Sequence, residues 1–450
     1  MKESADVSRQ LARFLVASTP ADLPARVVHE AKRSLLNFLG CALGGCRDEA
    51  MEHAGAVLLP LAGPPAATVI GRPERADILT AAFLNAAAGN VFDFDDTHIP
   101  TIIHPTAPVA PVVLAIAETQ PVSGRDLLHA LVLGIGVECR LGNAVSPEHY
   151  RRGWHITSTC GVFGAAAAAA KLLGLDAKHT VWALGSAAAQ SSGLIETLGH
   201  MAKSVGVGQS ARGGLLAALL AQKGLAGPDR PLEGPRGFAH VMGDGPDFNA
   251  ILLALHSRWE ILANTYKPYP CGVVLNPVID ACLALAQENE IAAERITRIT
   301  VAGHSLLRER TDRPNVTTGR EAQVSAQHSI AVALLQRAAG IKQFSDAVVK
   351  DPAVLALREK VTVIEDASIP VSAAVITIAL NDGSVLTKRV DEARGSLECP
   401  LTDAEIEAKV ADLVAYGAPG VDAKRLIDAV WSLEDSRNAG EIMRLARPAV

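Results

Sequence analysis

Asp93-Phe94-Asp95-Asp96-Thr97-His98, continuing to His104-Pro105-Thr106, concentrates three carboxylates and two imidazoles within the twelve residues 93–104. Carboxylates this close raise one another's pKa, and a neighbouring imidazolium lowers it. Such a set can supply an acid and a base that both work near neutral pH. The same residue types also suit a polar loop whose aspartates cap the following helix. Asp and His could equally offer oxygen and nitrogen to a metal. However, HExxH is absent and His98 and His104 are not four apart, so no metal site is assigned.

Three further stretches carry reactive or cationic groups. Arg151-Arg152-Gly153-Trp154-His155-Ile156-Thr157 precedes an alanine-rich helix, so His155 can present its ring at a helix N-terminus, where an anion is also welcome. A surface loop anchored by Trp154 is the plainer reading. His200-Met201-Ala202-Lys203 leads into Gly206-Val207-Gly208, read as a glycine-rich turn in which Lys203 would face a carboxylate. It is not a dinucleotide fingerprint, because no strand precedes it. Lys267 lies in the breaker cluster Tyr266-Lys267-Pro268-Tyr269-Pro270-Cys271-Gly272, which reads as a domain junction, where ligand sites gather. No GxSxG, Walker A, CxxC or EF-hand pattern is present, so a nucleophile-based hydrolase has no support.

The elements that must hold these groups are mostly helical. Hydrophobic residues make up 49% of the 450 and aromatics 4%, so the core must be built of Ala, Leu, Val and Ile, which suits closely packed helices. The length favours two domains. Helices are predicted over Pro24–Leu39, Phe83–Ala88, Leu127–Gly136, Thr159–Leu173, Val181–Gln190 and Ala211–Lys223. After about Ile261 the pattern changes. Strands are predicted at Ile296–Val301, Val361–Ile364, Ala374–Leu380 and Val385–Val390, the last two as a hairpin through Asn381-Asp382-Gly383-Ser384. Helices fall between them at Asn276–Gln287, Ser325–Ala339 and Asp351–Val361. Thr402-Asp403-Ala404-Glu405 fits a capping box, and Ala423–Trp431 follows as helix. The fold class is therefore mainly α: an all-helical domain over 1–266 with 400–450, and a smaller α+β domain over 267–399.

The net charge of −6 gives no reason to expect nucleic acid or an anionic membrane as a partner. Seven scattered cysteines indicate reduced thiols and a cytoplasmic setting. The opening Met1–Asp6 has no apolar signal core, and the run Gly161–Ala170 is too short to span a bilayer.

Taken in order, DFDDT with His104-Pro105, Gly153-x-His155, Lys203, KPYPCG at 267–272, and Gly319-Arg320-Glu321-Ala322 leading to Ser325-Ala326-Gln327-His328-Ser329 resemble the MmgE/PrpD family over nearly the whole chain. The resemblance implies a helical domain with an α+β lid, a homodimer, an active-site cleft between the domains, and no metal or organic cofactor. It implies an enzyme that moves a proton at carbon α to a carboxylate in a small di- or tricarboxylate. Dehydration like that of 2-methylcitrate is the first expectation, with iminodisuccinate-type epimerisation and cis-aconitate-type decarboxylation as alternatives. It places Asp93, His104, His155, Lys203 and Lys267 in catalysis. Thr97, together with both lysines, is placed in substrate binding, and His98 and His328 are expected there for their residue types. His328 stands where decarboxylating members have tyrosine, and Asn276 and Gly272 stand where a histidine occurs. These departures count against decarboxylation, since Gly exchanges no proton and Asn only hydrogen-bonds.

Overall fold

The computed structural model describes residues 6–448, so nearly all of the opening stretch read for a signal core lies outside the described residues. The chain forms two compact units. The first contains the chain up to Val91, then Asp95–Asn264, and everything from Asp403. The second contains Phe92–Phe94 and Thr265–Thr402.

The first unit is helix packed on helix. Its principal members are α1 (Ala25–Gly45), α2 (Ile78–Asn90), α3 (Thr106–Ala117), α4 (Gly124–Val145), α5 (Ile156–Leu172) and α6 (Ala202–Gln222). Residues 156–170 of α5 are buried all round, which is why its sequence shows no polar face. Small residues let neighbouring backbones nearly touch. A Cβ on Gly134 of α4 would lie 2.8 Å from the Gly164 carbonyl oxygen of α5, and one on Gly214 of α6 would lie 2.4 Å from the Ala165 methyl. Gly in a helix lowers its stability, and here the return is dense interhelical packing.

Several helices outrun the expectation from periodicity, α2 among them, which begins at Ile78 behind its Asp77 cap. α1 continues to Gly45, with Pro24 at its N-cap. α4 extends to Val145 through Glu138 and Arg140, whose polarity interrupts the apolar pattern although both are buried. α4 is long and apolar enough to span a bilayer by length and composition, but 89% of that window is buried within the protein. α6 begins at Ala202, so the glycine-rich turn expected at Gly206–Gly208 is instead continuous helix. Those glycines serve close approach: a Cβ at Gly208 would lie 2.8 Å from the Phe83 carbonyl oxygen.

The second unit is α+β. A four-stranded sheet contains β1 (Ile296–Gly303), β2 (Val361–Glu365), β3 (Ala374–Leu380) and β4 (Val385–Val390) in the order β2-β1-β3-β4. β1 and β2 are parallel, and the other neighbours are antiparallel. The β3–β4 turn follows the expected chemistry: Gly383 takes φ +85°, and the Ser384 N–H donates to Asp382 Oδ1 at 2.9 Å. α7 (Asn276–Glu288) and α8 (Ala326–Gln336) supply Val278, Cys282, Ile330 and Val332 to a core shared with Val301, Ile376 and Ile378. α8 stops three residues earlier than predicted because Arg337 turns left-handed at φ +50°. The helix expected at Asp351–Val361 is Pro352–Arg358, capped by Asp351, and Val361 already belongs to β2.

The tail returns to the first unit as α9 (Asp403–Gly417). It packs on α1, where Lys409 Nζ donates to Asn37 Oδ1 at 2.8 Å and Val410 fills the space above Gly40.

Candidate functional site

The segment between α2 and α3 carries the acidic cluster and folds inward. Asp96 is fully buried. Its Oδ2 accepts from the Thr106 hydroxyl at 2.6 Å and from Asn264 Nδ2 at 2.8 Å, and Thr106 N–H lies 3.4 Å from Oδ1. The capping reading of this stretch is thus realised through Asp96, at the first residue of α3. Burial, followed by the Asp95 charge, pushes the Asp96 carboxyl up to about 7 against the Thr106 bonds. Asp95 is likewise buried, and its Oδ2 accepts from Asn90 Nδ2 at 2.6 Å.

His104 hangs beneath this loop. Its Nδ1 lies 2.8 Å from the Asp96 main-chain oxygen, 3.3 Å from Thr97 Oγ1 and 3.6 Å from Asp95 Oδ1. A carbonyl oxygen only accepts, so Nδ1 carries the hydrogen and the other ring nitrogen, Nε2, is the proton-exchanging position. This bond occupies Nδ1, so a metal would have to be met by Nε2. His104 N–H donates to Thr157 Oγ1 at 3.1 Å, which ties the loop to the first turn of α5.

His155 is the N-cap residue of α5. Its N–H donates to the Gly193 carbonyl at 3.0 Å, and its Nδ1 lies 2.7 Å from Ser158 Oγ. Gly193, at φ +131°, fits here because any Cβ would lie 2.5 Å from that of Ser158. α6 closes over the same serine: a Cβ on Gly206 would lie 2.6 Å from Ser158 Oγ. Lys203 lies one helical turn before Gly206, in the first turn of α6, and is 8% exposed. A cation in the first turn of a helix adds to the positive end of the helix dipole, and the two together favour an anion. His104, His155 and Lys203 are therefore joined through Thr157, Ser158 and Gly206.

Behind them, Glu138 of α4 is fully buried against Gly161 and Gly164 of α5, and neither carboxyl oxygen has a hydrogen-bond partner. Burial, then the Asp96 charge, raises its carboxyl well above the ordinary range.

His98 belongs to the same loop but turns to other partners. His98 is fully buried, with Nδ1 2.8 Å from Thr101 Oγ1 and Nε2 3.2 Å from Glu260 Oε2. Burial opposes the Glu260 charge, but the His98 bond with Arg258 and Arg140 outweighs it and holds that carboxyl below its usual range. With both ring nitrogens engaged and no exposed surface, His98 fastens the loop and offers a substrate nothing. In the second unit, Lys267 Nζ pairs with Asp93 Oδ2 at 3.1 Å and donates to the Asp93 main-chain oxygen at 2.9 Å. Asp93 itself is held at φ +50°, a conformation Asp tolerates better than most residues. His328 is also fully buried. Its Nε2 lies 2.9 Å from the Gln343 carbonyl, its ring tilts against Phe344, and burial lowers it to about 4. It is a neutral residue of the second unit's interior rather than an exposed ligand group.

Residues 9–251 match the MmgE/PrpD N-terminal domain, and residues 269–435 match the MmgE/PrpD C-terminal domain. The chain belongs to the MmgE/PrpD family. Among similar MmgE/PrpD-type relatives is a cis-aconitate decarboxylase-like protein of Aspergillus oryzae. It is 28% identical over 470 residues, covering 98% of this chain and 97% of the relative. The cis-aconitate decarboxylase of Homo sapiens is 28% identical over 446 residues, covering 94% of this chain and 91% of its own length. That of Aspergillus terreus is 27% identical over 481 residues, covering 99% and 98%.

Sequence reasoning missed the supporting residues of this MmgE/PrpD site. Asn90, Asn264 and Glu138 are far from the motif in sequence and carry no local signal. Ser158 had one, since it stands three residues after an N-cap histidine, where side chain and first turn meet.

Proposed function

We propose that the chain is a lyase that acts on a small di- or tricarboxylate by transferring a proton at the carbon next to a carboxylate, with loss of water as the first reading. The observation that carries this is the attachment of three residues to the first turns of α5 and α6: His104 through its main-chain N–H to Thr157, His155 through its ring to Ser158, and Lys203 in the turn whose Gly206 presses on Ser158.

The chemistry follows from the residue types. A proton α to a carboxylate is weakly acidic, and its removal places charge on the carboxylate oxygens. Lys203 and the α6 terminus meet that charge. One imidazole collects the proton, and the other delivers one to the leaving hydroxyl. Thr97 helps hold the ring of His104. Lys267 and Asp93 enter the reaction through the family motif, Lys267 as a carboxylate-binding cation and Asp93 as its partly buried partner.

Decarboxylation is the second reading, supported by the names of the full-length relatives. It needs the same charge relief and a late protonation. Incubation of the protein with a panel of citrate-type, aconitate-type and amino- or imino-dicarboxylates in deuterated water, followed by proton NMR, tests both. Alkene formation with loss of water supports the first reading. Loss of carbon dioxide with one deuteron gained supports the second. Deuterium entering unchanged substrate would instead make the protein an epimerase. A folded protein that neither converts nor exchanges any member of the panel ends the proposal.

A further inference from the structure

The buried carboxylate of Asp95 has one oxygen bonded to Asn90 and the other, Oδ1, with no hydrogen-bond donor, 3.6 Å from His104 Nδ1. An ionised oxygen at a site 1% exposed is strongly disfavoured unless a positive charge stands beside it. The His104 ring stands beside this oxygen at that distance.

The neighbours favour the same partition. Asp96 has its oxygens taken up by Thr106 and Asn264 and is pushed toward its neutral form, so it competes less with Asp95 for the imidazole's charge. From α5, Thr157 accepts the His104 N–H, and His155 turns its Nδ1 to Ser158. From α4, Glu138 is driven toward its neutral form by burial and then by the Asp96 charge. Within the loop, His98 is committed to Glu260, and the Asp93 carboxylate, two residues before Asp95, is paired with the Lys267 ammonium. Because Nδ1 already donates to the Asp96 carbonyl, an added proton can only reside on Nε2.

We propose that Asp95 is the counter-charge that keeps the His104 imidazole doubly protonated at neutral pH, so that His104 enters the reaction as the proton donor. The catalytic consequence rests on the function proposed above, whereas the charge pair itself does not. Asp95 is thus a positioning residue: it acts through His104 and touches no substrate.

Nitrogen-15 NMR of the histidine-labelled full chain, free of substrate, tests the pair, with His104 assigned by its loss in His104→Gln. The expected result is an imidazolium pattern at pH 7 and a midpoint above the ordinary value of about 6.5. In Asp95→Asn that midpoint should fall by at least one pH unit. A neutral His104 ring at pH 7 in the unaltered protein overturns the proposal, and that measurement requires no variant to fold. So does a midpoint unmoved in Asp95→Asn. Once a substrate is known, the alkaline limb of the kcat/KM profile should move down in Asp95→Asn by the same interval as the ring titration, and an unmoved limb removes His104 as donor. If no carboxylate is turned over, the reaction falls, but the ring titration still decides the pair.

Discussion

Gly206→Ala separates the positioning of His155 from the stability of the fold. The new methyl would lie 2.6 Å from Ser158 Oγ and 3.4 Å from Ser158 Cβ. Ordinary contact needs roughly 3.5 Å, so the hydroxyl must retreat by about 1 Å. It is a small rotatable group and can do so, but its 2.7 Å bond to His155 Nδ1 then stretches beyond hydrogen-bond range. Losing that bond costs roughly 1 kcal/mol. Replacing a helical glycine by alanine returns about 1 kcal/mol. Stability therefore barely changes, and Tm should move by no more than about 3 °C for a chain of this size. Activity should respond much more. An imidazole displaced by about 1 Å can lose up to 10²-fold, so kcat is expected to fall by about 10- to 100-fold. Ser158→Ala should give a similar loss, and the double variant should be no worse than Ser158→Ala alone, because both act through one bond. The assay is turnover of the carboxylate identified by the NMR panel, alongside thermal unfolding. A kcat within twofold of the parent in Gly206→Ala, with Tm unchanged, would refute the reasoning. A large drop in Tm would show that the contact bears on packing instead.

His155→Ala should lower kcat by about 10²–10⁴-fold with the fold intact, and near-normal turnover would remove His155 from the mechanism. Lys267→Met leaves the Asp93 carboxylate, 16% exposed, without its cation. Thermal unfolding should show a loss of about 2–4 kcal/mol, and Asp93→Asn in the same chain should recover part of it. Glu138 has its carboxyl raised by burial, so above the ordinary value of 4.5 the unfolded chain ionises while the folded chain stays neutral. Stability thus declines as pH rises through that window, by about 1.4 kcal/mol per pH unit from this group. Glu138→Gln should flatten the decline between pH 5 and 7, and parallel stability curves for the two proteins would contradict the assignment.

Legibility from sequence follows the range of the forces involved. The β3–β4 hairpin was readable because Asp382 and Gly383 act within their own turn. The strands were readable from a period of two and the buried helices from alanine and apolar content. The start of α6 was not, because glycine reads as a breaker until Ser158 and Phe83 are known to press against it. The extent of α4 was hidden by Glu138 and Arg140, which are polar yet buried; Arg140 is satisfied by the carbonyls of Ile251, Leu253 and Arg258, more than a hundred residues away. For the site, residue type pointed to His104, His155 and Lys203 but could not say which carboxylate attends which imidazole. The structure puts Asp95 beside His104 and leaves His98 and His328 in the interior. Those two were chosen for their chemistry, and their surroundings are set by Glu260 and Gln343, distant in the chain.

The division of the chain has a practical consequence. Joining Asn264 to Asp403 would excise the long stretch of the second unit in one cut, but Phe92–Phe94 would remain behind with the first. Phe94, 7% exposed in the intact protein, would lose the body it packs into, and Asp93 would lose Lys267. A truncated helical fragment would therefore carry two greasy rings and an acid stripped of its lysine just before Asp95. Expression of the helical half by itself should yield sticky, poorly behaved material unless those three residues are redesigned at the same time.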